Sequence, residues 1–568
     1  MPSESLERLL DQLDESKRLS GARESARTMR ILASLDGRRF TDADSLIRFH
    51  EILLFLRAYP QERAVLVRAD KILAAFPRRI ALLGRDPEAD LSPFEAPEVS
   101  GIAGTSMTST FSYYIARWLA RRNASEVSID WEGYEDNARL GASWPRFIPL
   151  LEEDALVEAN VPYMEWLRTA TASTKKDLAW LIECFERLDI SDREKAEIYE
   201  SLKLWVRWTP GSFQATRTGM RFPVREIFYQ KQPLLRRSDV SLARELTGPP
   251  LPLKRLSPEE GERVLNLIRE TSTIRYRELH GFTFGDARRV VHARAGRGVE
   301  FFFNGVAAEH RLPLRAYHSA FIIRNGVPIG YAEGISLFER VEIGFNIYYT
   351  FRDGESAWLY AQVLRLYQQM LGVSAFSVDP YQIGYENEEG IESGAFWFYR
   401  KLGFRPVRSE LMRLTVEEER KAAARAGYRT PPGTLRKLSV GHMLFEPENA
   451  TRSDWDDFHV RNLGLAVARR MASRFDGDAA LIRRASVNAV ARALGMRTTN
   501  LREAEQHAFE NLALVLALIP DLARWSKNEK LDVARIIRAK AGADEALYLQ
   551  LMQQHARLRH EIIELGSK

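Results

Sequence analysis

Apolar residues near the start of the chain recur at helical spacing. Leu46, Phe49, Ile52, Leu53, Phe55 and Leu56 share the broad face of one predicted helix, which must be buried. Pro60, Pro77 and Pro87 punctuate this part, and the three prolines in DPEADLSPFEAPEVSG, from Asp86, mark a boundary. A helical region over 1–95 is therefore expected. The next region, 96–245, opens as short strand, glycine turn, helix and short strand. Its turn, Gly101 to Ser106, lacks the lysine of a phosphate-binding Walker loop and reads as a tight strand-to-helix connection. The acidic residues Glu152, Glu153, Asp154 and Glu158 have no histidine nearby and read as a solvated helix start. Residues 160–235 are expected to be helical, with Trp166, Trp180, Trp205 and Trp208 as core anchors.

The pattern changes again after the proline-rich LTGPPLPLKRLSPEEG, from Leu246. Ser257 followed three residues later by Glu260 predicts a capping box at a helix start. Two apolar strands flank Asn325-Gly326 in HSAFIIRNGVPIGYAEG, a two-residue hairpin signal. A strand over Val341–Tyr349, a helix over Ala357–Met370 and a short strand over Ala375–Val378 follow. A short tyrosine-bearing helix then leads to a strand beginning at Arg405. From 440 to 568 the chain reads as helical. The fold class expected is multidomain α/β: a central mixed sheet with flanking helices, over about 250–415, between largely helical N- and C-terminal regions.

Charge narrows little. Lys and Arg number 82 against 77 Asp and Glu, a net +5, so the balance does not itself call for a nucleic-acid or membrane partner. The single cysteine, Cys184, lies in the apolar helical pattern LAWLIECFERL and cannot form an intrachain disulfide. The apolar run Leu512–Ile519 stops at Pro520, short of the ~20 residues a membrane span needs. A soluble, cytoplasmic protein is expected. The ten histidines form no H-x-H or H-E-x-x-H pattern, so no metal site is expected.

The segment ESGAFWFYRKLGF, Glu392–Phe404, changes the picture most. Ala395, Phe398, Tyr399, Lys401, Leu402, Gly403 and Phe404 resemble the A-x-x-F-Y-x-K-L-G-F segment of the GNAT superfamily, the acetyl-CoA-dependent N-acetyltransferases. The order of elements over 250–415 is similar to that fold. The resemblance implies transfer of an acyl group from acetyl-CoA, or another acyl-CoA, to an amine, with Tyr399 protonating the departing thiolate. It implies that the strand carrying Ile347 and Tyr349 lies beside the pantetheine arm. It further implies that Arg352, Gly354, Glu355, Ser356 and Ala357 form the turn that meets the cofactor diphosphate, with Phe398 beside the thiol. The sequence departs from the family turn: Phe351 takes the basic position, Ser356 stands for Gly or Ala, and Asp353 and Glu355 add negative charge. An amine must also lose a proton, which a carboxylate can accept. Glu342 is the first candidate for that base and Glu333 the second.

Two other readings stand beside this one. A catalytically silent GNAT-like domain used for binding or regulation would explain the altered turn. A nucleic-acid role for the C-terminal region rests on Arg469–Arg502, with eight arginines against two aspartates and a loose resemblance to a helix-turn-helix. Residues 440–568 as a whole carry 19 Lys/Arg against 17 Asp/Glu, which favours a helical bundle with solvated arginines. Small-molecule amine, peptide α-amine and protein lysine all stay open as acceptors, and the sequence leaves the oligomeric state unread.

Overall fold

The computed structural model describes residues 5–135, 137–148, 163–171, 176–447 and 453–568; the acidic cluster at 152–158 lies outside them. Two sheets form among the described residues. The smaller is antiparallel, in the order β1 (Met107–Ser109), β3 (Val206–Trp208), β2 (Val127–Ile129). It belongs to a compact core of its own that includes Trp144, Phe185, Tyr199 and Trp208. Val206-Arg207-Trp208 alternates buried, exposed, buried, a strand period where a helix was expected. Trp208 is therefore a core anchor, whereas Trp205 is exposed.

The larger sheet is mixed and has nine strands. In chain order they are β4 (Leu253–Arg255), β5 (Val291–Gly296), β6 (Val299–Gly305), β7 (Ala316–Arg324), β8 (Val327–Leu337), β9 (Arg340–Ile347), β10 (Ala375–Val378), β11 (Arg405–Pro406) and β12 (Met443–Phe445). In space they run β11-β12-β10-β9-β8-β7-β6-β5-β4. Neighbours are antiparallel except β9 and β10, which are parallel and joined by the crossover helix Ser356–Leu371. That helix ends at Gly372, whose φ of 70° supplies the left-handed turn a helix C-terminus needs. The Ser257 capping box forms as read: Ser257 Oγ accepts from the Glu260 amide at 3.2 Å, and the Glu260 carboxylate from the Ser257 amide at 2.9 Å.

The sheet does not stop near 415. β12 comes from a three-residue run too short to show an alternation, in the part of the chain that reads as helical, and it lies between β10 and β11. The flanking helices are also joined to the sheet. Leu46, Phe49, Leu53 and Phe55 belong to the same buried cluster as Ile343, Val363, Val533 and Ile562, so both helical ends share the sheet's core.

The β7–β8 turn shows how tight that joint is. Asn325 and Gly326 have φ of 50° and 79°, which suits the two-residue hairpin turn. The turn is buried. Asn325 Nδ2 donates to the carbonyls of Ala58 and Phe228, and the Phe222 amide donates to Gly326.

Candidate functional site

The sheet opens between its two parallel strands. β9 and β10 are paired at Arg340–Ala375, Val341–Phe376 and Glu342–Ser377, and there the pairing ends, although β9 continues to Ile347. Beyond Val378 the chain turns at Asp379-Pro380 and leaves the strand direction. The Gln382 side chain meets the unpaired edge, where the Phe345 amide donates to its Oε1 at 3.2 Å. A cleft of about 460 Å³ occupies the opening, lined along β9 by Gly344, Phe345, Asn346 and Ile347.

Tyr399 reaches this cleft from the helix Ala395–Arg400. Its ring is held edge-on against Tyr360, centroids 5.4 Å apart, and against Phe398 at 5.2 Å and Phe404 at 5.7 Å. Burial raises its phenol pKa, so the hydroxyl keeps its proton. Gly403 follows with φ of 108°, a left-handed conformation that reverses the chain into β11. A Cβ there would also come within 3.2 Å of the Phe445 ring on β12. Phe398 lines the cleft beside Tyr399.

The turn after β9 splits in two. Ile347, Arg352 and Ser356 line the cleft. Arg352 reaches across its mouth to form an ion pair with Glu389, and its Nε donates to the Ile347 carbonyl. The other half faces inward. Gly354 abuts Tyr59 of the N-terminal region, where an added Cβ would sit 2.3 Å from the phenol oxygen. The Glu355 side chain is fully buried; it accepts from Arg324 Nη1 at 2.5 Å, Arg297 Nε at 3.1 Å and the Leu235 amide at 3.0 Å. Burial disfavours its charge, but Arg297 and Arg324 outweigh that and keep its pKa below the ordinary carboxylate value. Asp353 is paired with Lys17 at 3.2 Å. Both acidic residues of the turn are thus neutralised from behind. Ala357 is buried, and Tyr349, 65% exposed, lies outside the cleft lining.

The two carboxylates proposed as bases lie apart. Glu333, on β8 opposite Gly344, lines the cleft. It accepts from the Gly281 amide at 3.2 Å, and burial raises its pKa above the usual range despite hydrogen bonds from Tyr317, Gly281 and Ser319. Glu342 sits two residues before Gly344 and lines a neighbouring cavity instead. Burial would raise its pKa, but His442 and Arg340, with Arg315, hold it down to about 2. A carboxylate so acidic is a weak proton acceptor near neutral pH.

Tyr331, Asn346 and Gln382 also line the cleft without having been singled out in the sequence. Asn346 was within reach, because it shares the Glu342–Gly344 face by strand alternation. Gln382 had no local signal. The structure also gathers Glu342, Asp379 and His442, with ligand atoms all within 4.8 Å of one another. Their distance in sequence hid them. Arg315 at 3.6 Å and Arg340 at 3.8 Å already compensate the Glu342 charge, which weakens any claim to a dedicated metal centre. Among the described residues no helix is long and apolar enough to cross a membrane. The chain matches no protein-family model, no curated protein and no solved structure.

Proposed function

We propose that the protein is an acyl-CoA-dependent N-acyltransferase of GNAT type, working in the cleft between β9 and β10. The observation that carries this reading is the parting of two parallel strands after Glu342–Ser377, with Tyr399 facing the gap. The strand edge, engaged only by the side chains of Gln382 and Arg352, offers amide and carbonyl groups to an extended amide-bearing ligand arm that displaces them, as a further strand would. The N-terminus of the Ser356–Leu371 helix beside the cleft adds unpaired donors suited to a phosphate. With Glu355 turned into the core and Asp353 held by Lys17, the turn's acidic residues do not oppose that charge.

When bound, acyl-CoA supplies a thioester whose acyl carbon forms a bond to the amine nitrogen as its bond to sulfur breaks. Tyr399 gives its hydroxyl proton to the leaving sulfur. Glu333, the cleft carboxylate not engaged in an ion pair with Arg352, takes a proton from the amine. Phe345 and Phe398 present apolar surface that limits water near the reacting atoms. Calorimetric titration of acetyl-CoA tests the reading: binding is expected, and no heat at millimolar cofactor removes it.

A silent, ligand-sensing version of the same fold has one observation in its favour. Arg352, the basic residue nearest the turn, is engaged by Glu389 across the mouth. Binding of acetyl-CoA without thiol release for any amine would select it.

A further inference from the structure

The cavity beside the cleft is lined by charged side chains of both signs. On β9, Arg340, Glu342, Gly344 and Asn346 point to one face, and their β8 partners Leu337, Ile335, Glu333 and Tyr331 point the same way. Gly344, Asn346, Glu333 and Tyr331 line the cleft, while Arg340, Glu342, Ile335 and Leu337 line a cavity of about 250 Å³. The two spaces are therefore successive stations along one ladder, about 7 Å apart at two residues of rise. The smaller one lies past the point where β9 and β10 join.

Its charges are uneven. Arg315, Arg340 and Arg461 face it from just before β7, from β9 and from the helix Val460–Phe475. Arg315 and Arg340 approach Glu342 at 3.6 and 3.8 Å, longer than a formed hydrogen bond, and Arg340 also donates to Ser377 Oγ at 3.0 Å and lies over the Trp455 ring. Arg461 is exposed and has no ion-pair partner among the described residues. The His459 imidazole has its pKa lowered by burial and then by the neighbouring His442, Arg461, Arg408 and Arg340. Opposite them, Glu342 and Asp379 flank His442 at 3.3 and 3.7 Å, leaving a smaller negative pole near the fork. Trp455 and Phe458 supply apolar walls.

We infer that this cavity is the acceptor pocket and that the acceptor is a small amine that also carries a carboxylate, an amino-acid-like molecule. The inference rests on the acyltransferase reading. The carboxylate meets the three guanidiniums, and the amine points along the ladder toward Glu333 and the cleft. Guanidinium groups suit a carboxylate because they can donate two parallel hydrogen bonds to it. A plain diamine would bring a second cation toward the arginines.

The test uses matched pairs on the full chain: lysine against cadaverine, tyrosine against tyramine, arginine against agmatine. With acetyl-CoA present and thiol release followed, at least one amino acid is expected to exceed its decarboxylated partner by about tenfold or more in kcat/KM. Arg461→Ala and Arg315→Ala are expected to raise the KM of that amino acid while leaving acetyl-CoA affinity unchanged by calorimetry. Equal or better use of the decarboxylated amines overturns the inference, as do unchanged KM values in both variants or preference for ethanolamine phosphate over every amino acid. If acetyl-CoA itself fails to bind, the acyltransferase reading falls. Direct titration of the same pairs into the protein then decides the pocket: selective binding of the amino acids supports it, and binding of neither member or of both alike overturns it.

Discussion

Glu355→Ala and Asp353→Ala change neighbouring carboxylates of one turn, yet should behave very differently. Glu355 is wholly buried against Arg324, itself fully buried with its guanidinium 3.9 Å above the Tyr59 ring and its other head-group partner Gln230 at 2.8 Å. Removing the carboxylate leaves Arg324 charged in the core, a loss of about 3–5 kcal/mol. Spread over the unfolding entropy of 568 residues, about 2.1 cal/mol/K each, that is a fall in Tm of roughly 2.5–4 °C by scanning calorimetry. Asp353 is 44% exposed and its pairs are with Lys17 and Arg18 at the surface, so its loss is worth about 0–1 kcal/mol and under about 1 °C. Acid should erase the difference. Glu355 has a folded pKa below its unfolded value of 4.5, so its contribution is complete above that pH and fades as pH falls through the lowered value. Equal Tm shifts in the two variants, or a shift under about 1 °C for Glu355→Ala, would refute the view of this turn as a charge-neutralised joint.

Other outcomes follow from the cleft and its frame. Tyr399→Phe keeps the ring packing and should lower turnover about 100-fold or more while acetyl-CoA affinity stays within about twofold; unchanged turnover removes Tyr399 from the chemistry. Glu333→Gln should abolish the rise of rate with pH through a carboxylate pKa displaced upward, measured as the acidic limb of kcat/KM; an intact limb assigns the base elsewhere. Gly326→Ala would place a Cβ 2.4 Å from the Phe222 carbonyl at a φ of 79°, and a loss of about 1–3 kcal/mol by urea unfolding is expected.

Much of the central sheet was legible because its signals are local. The Asn325-Gly326 hairpin, the Ser257 box and the Tyr399–Gly403 helix stop each need only a few adjacent residues. The strand at Met443–Phe445 left no such trace, since three residues cannot display a period. Trp205 was misplaced for a related reason: two tryptophans three apart fit one helix face, whereas the alternating strand Val206–Trp208 keeps Trp208 in the core and leaves Trp205 exposed. In the site, Glu342 and Glu333 look equivalent along the sequence. What separates them is the company of Arg340, Arg315 and His442, drawn from β9, the start of β7 and the approach to β12. Long-range electrostatics of that kind has no sequence signature. The reach of the N-terminal helix onto the β7–β8 turn was hidden likewise, although the near-continuous apolar run around Leu53 to Leu56 shows in hindsight a helix buried on most sides.

The strand order β11-β12-β10 carries a consequence for biosynthesis. β11 pairs with β12, which lies about 40 residues further along the chain. Until Met443–Phe445 is made, β11 has no strand to pair with, although the Tyr399 helix already has Tyr360 to pack against. The far edge of the sheet is therefore completed late, after β12 has slotted between two strands made before it. Until then the free edge of β10 is a strand template exposed to other chains. A nascent chain stalled before Met443 would be prone to aggregate, and chaperone occupancy during synthesis should peak over that interval.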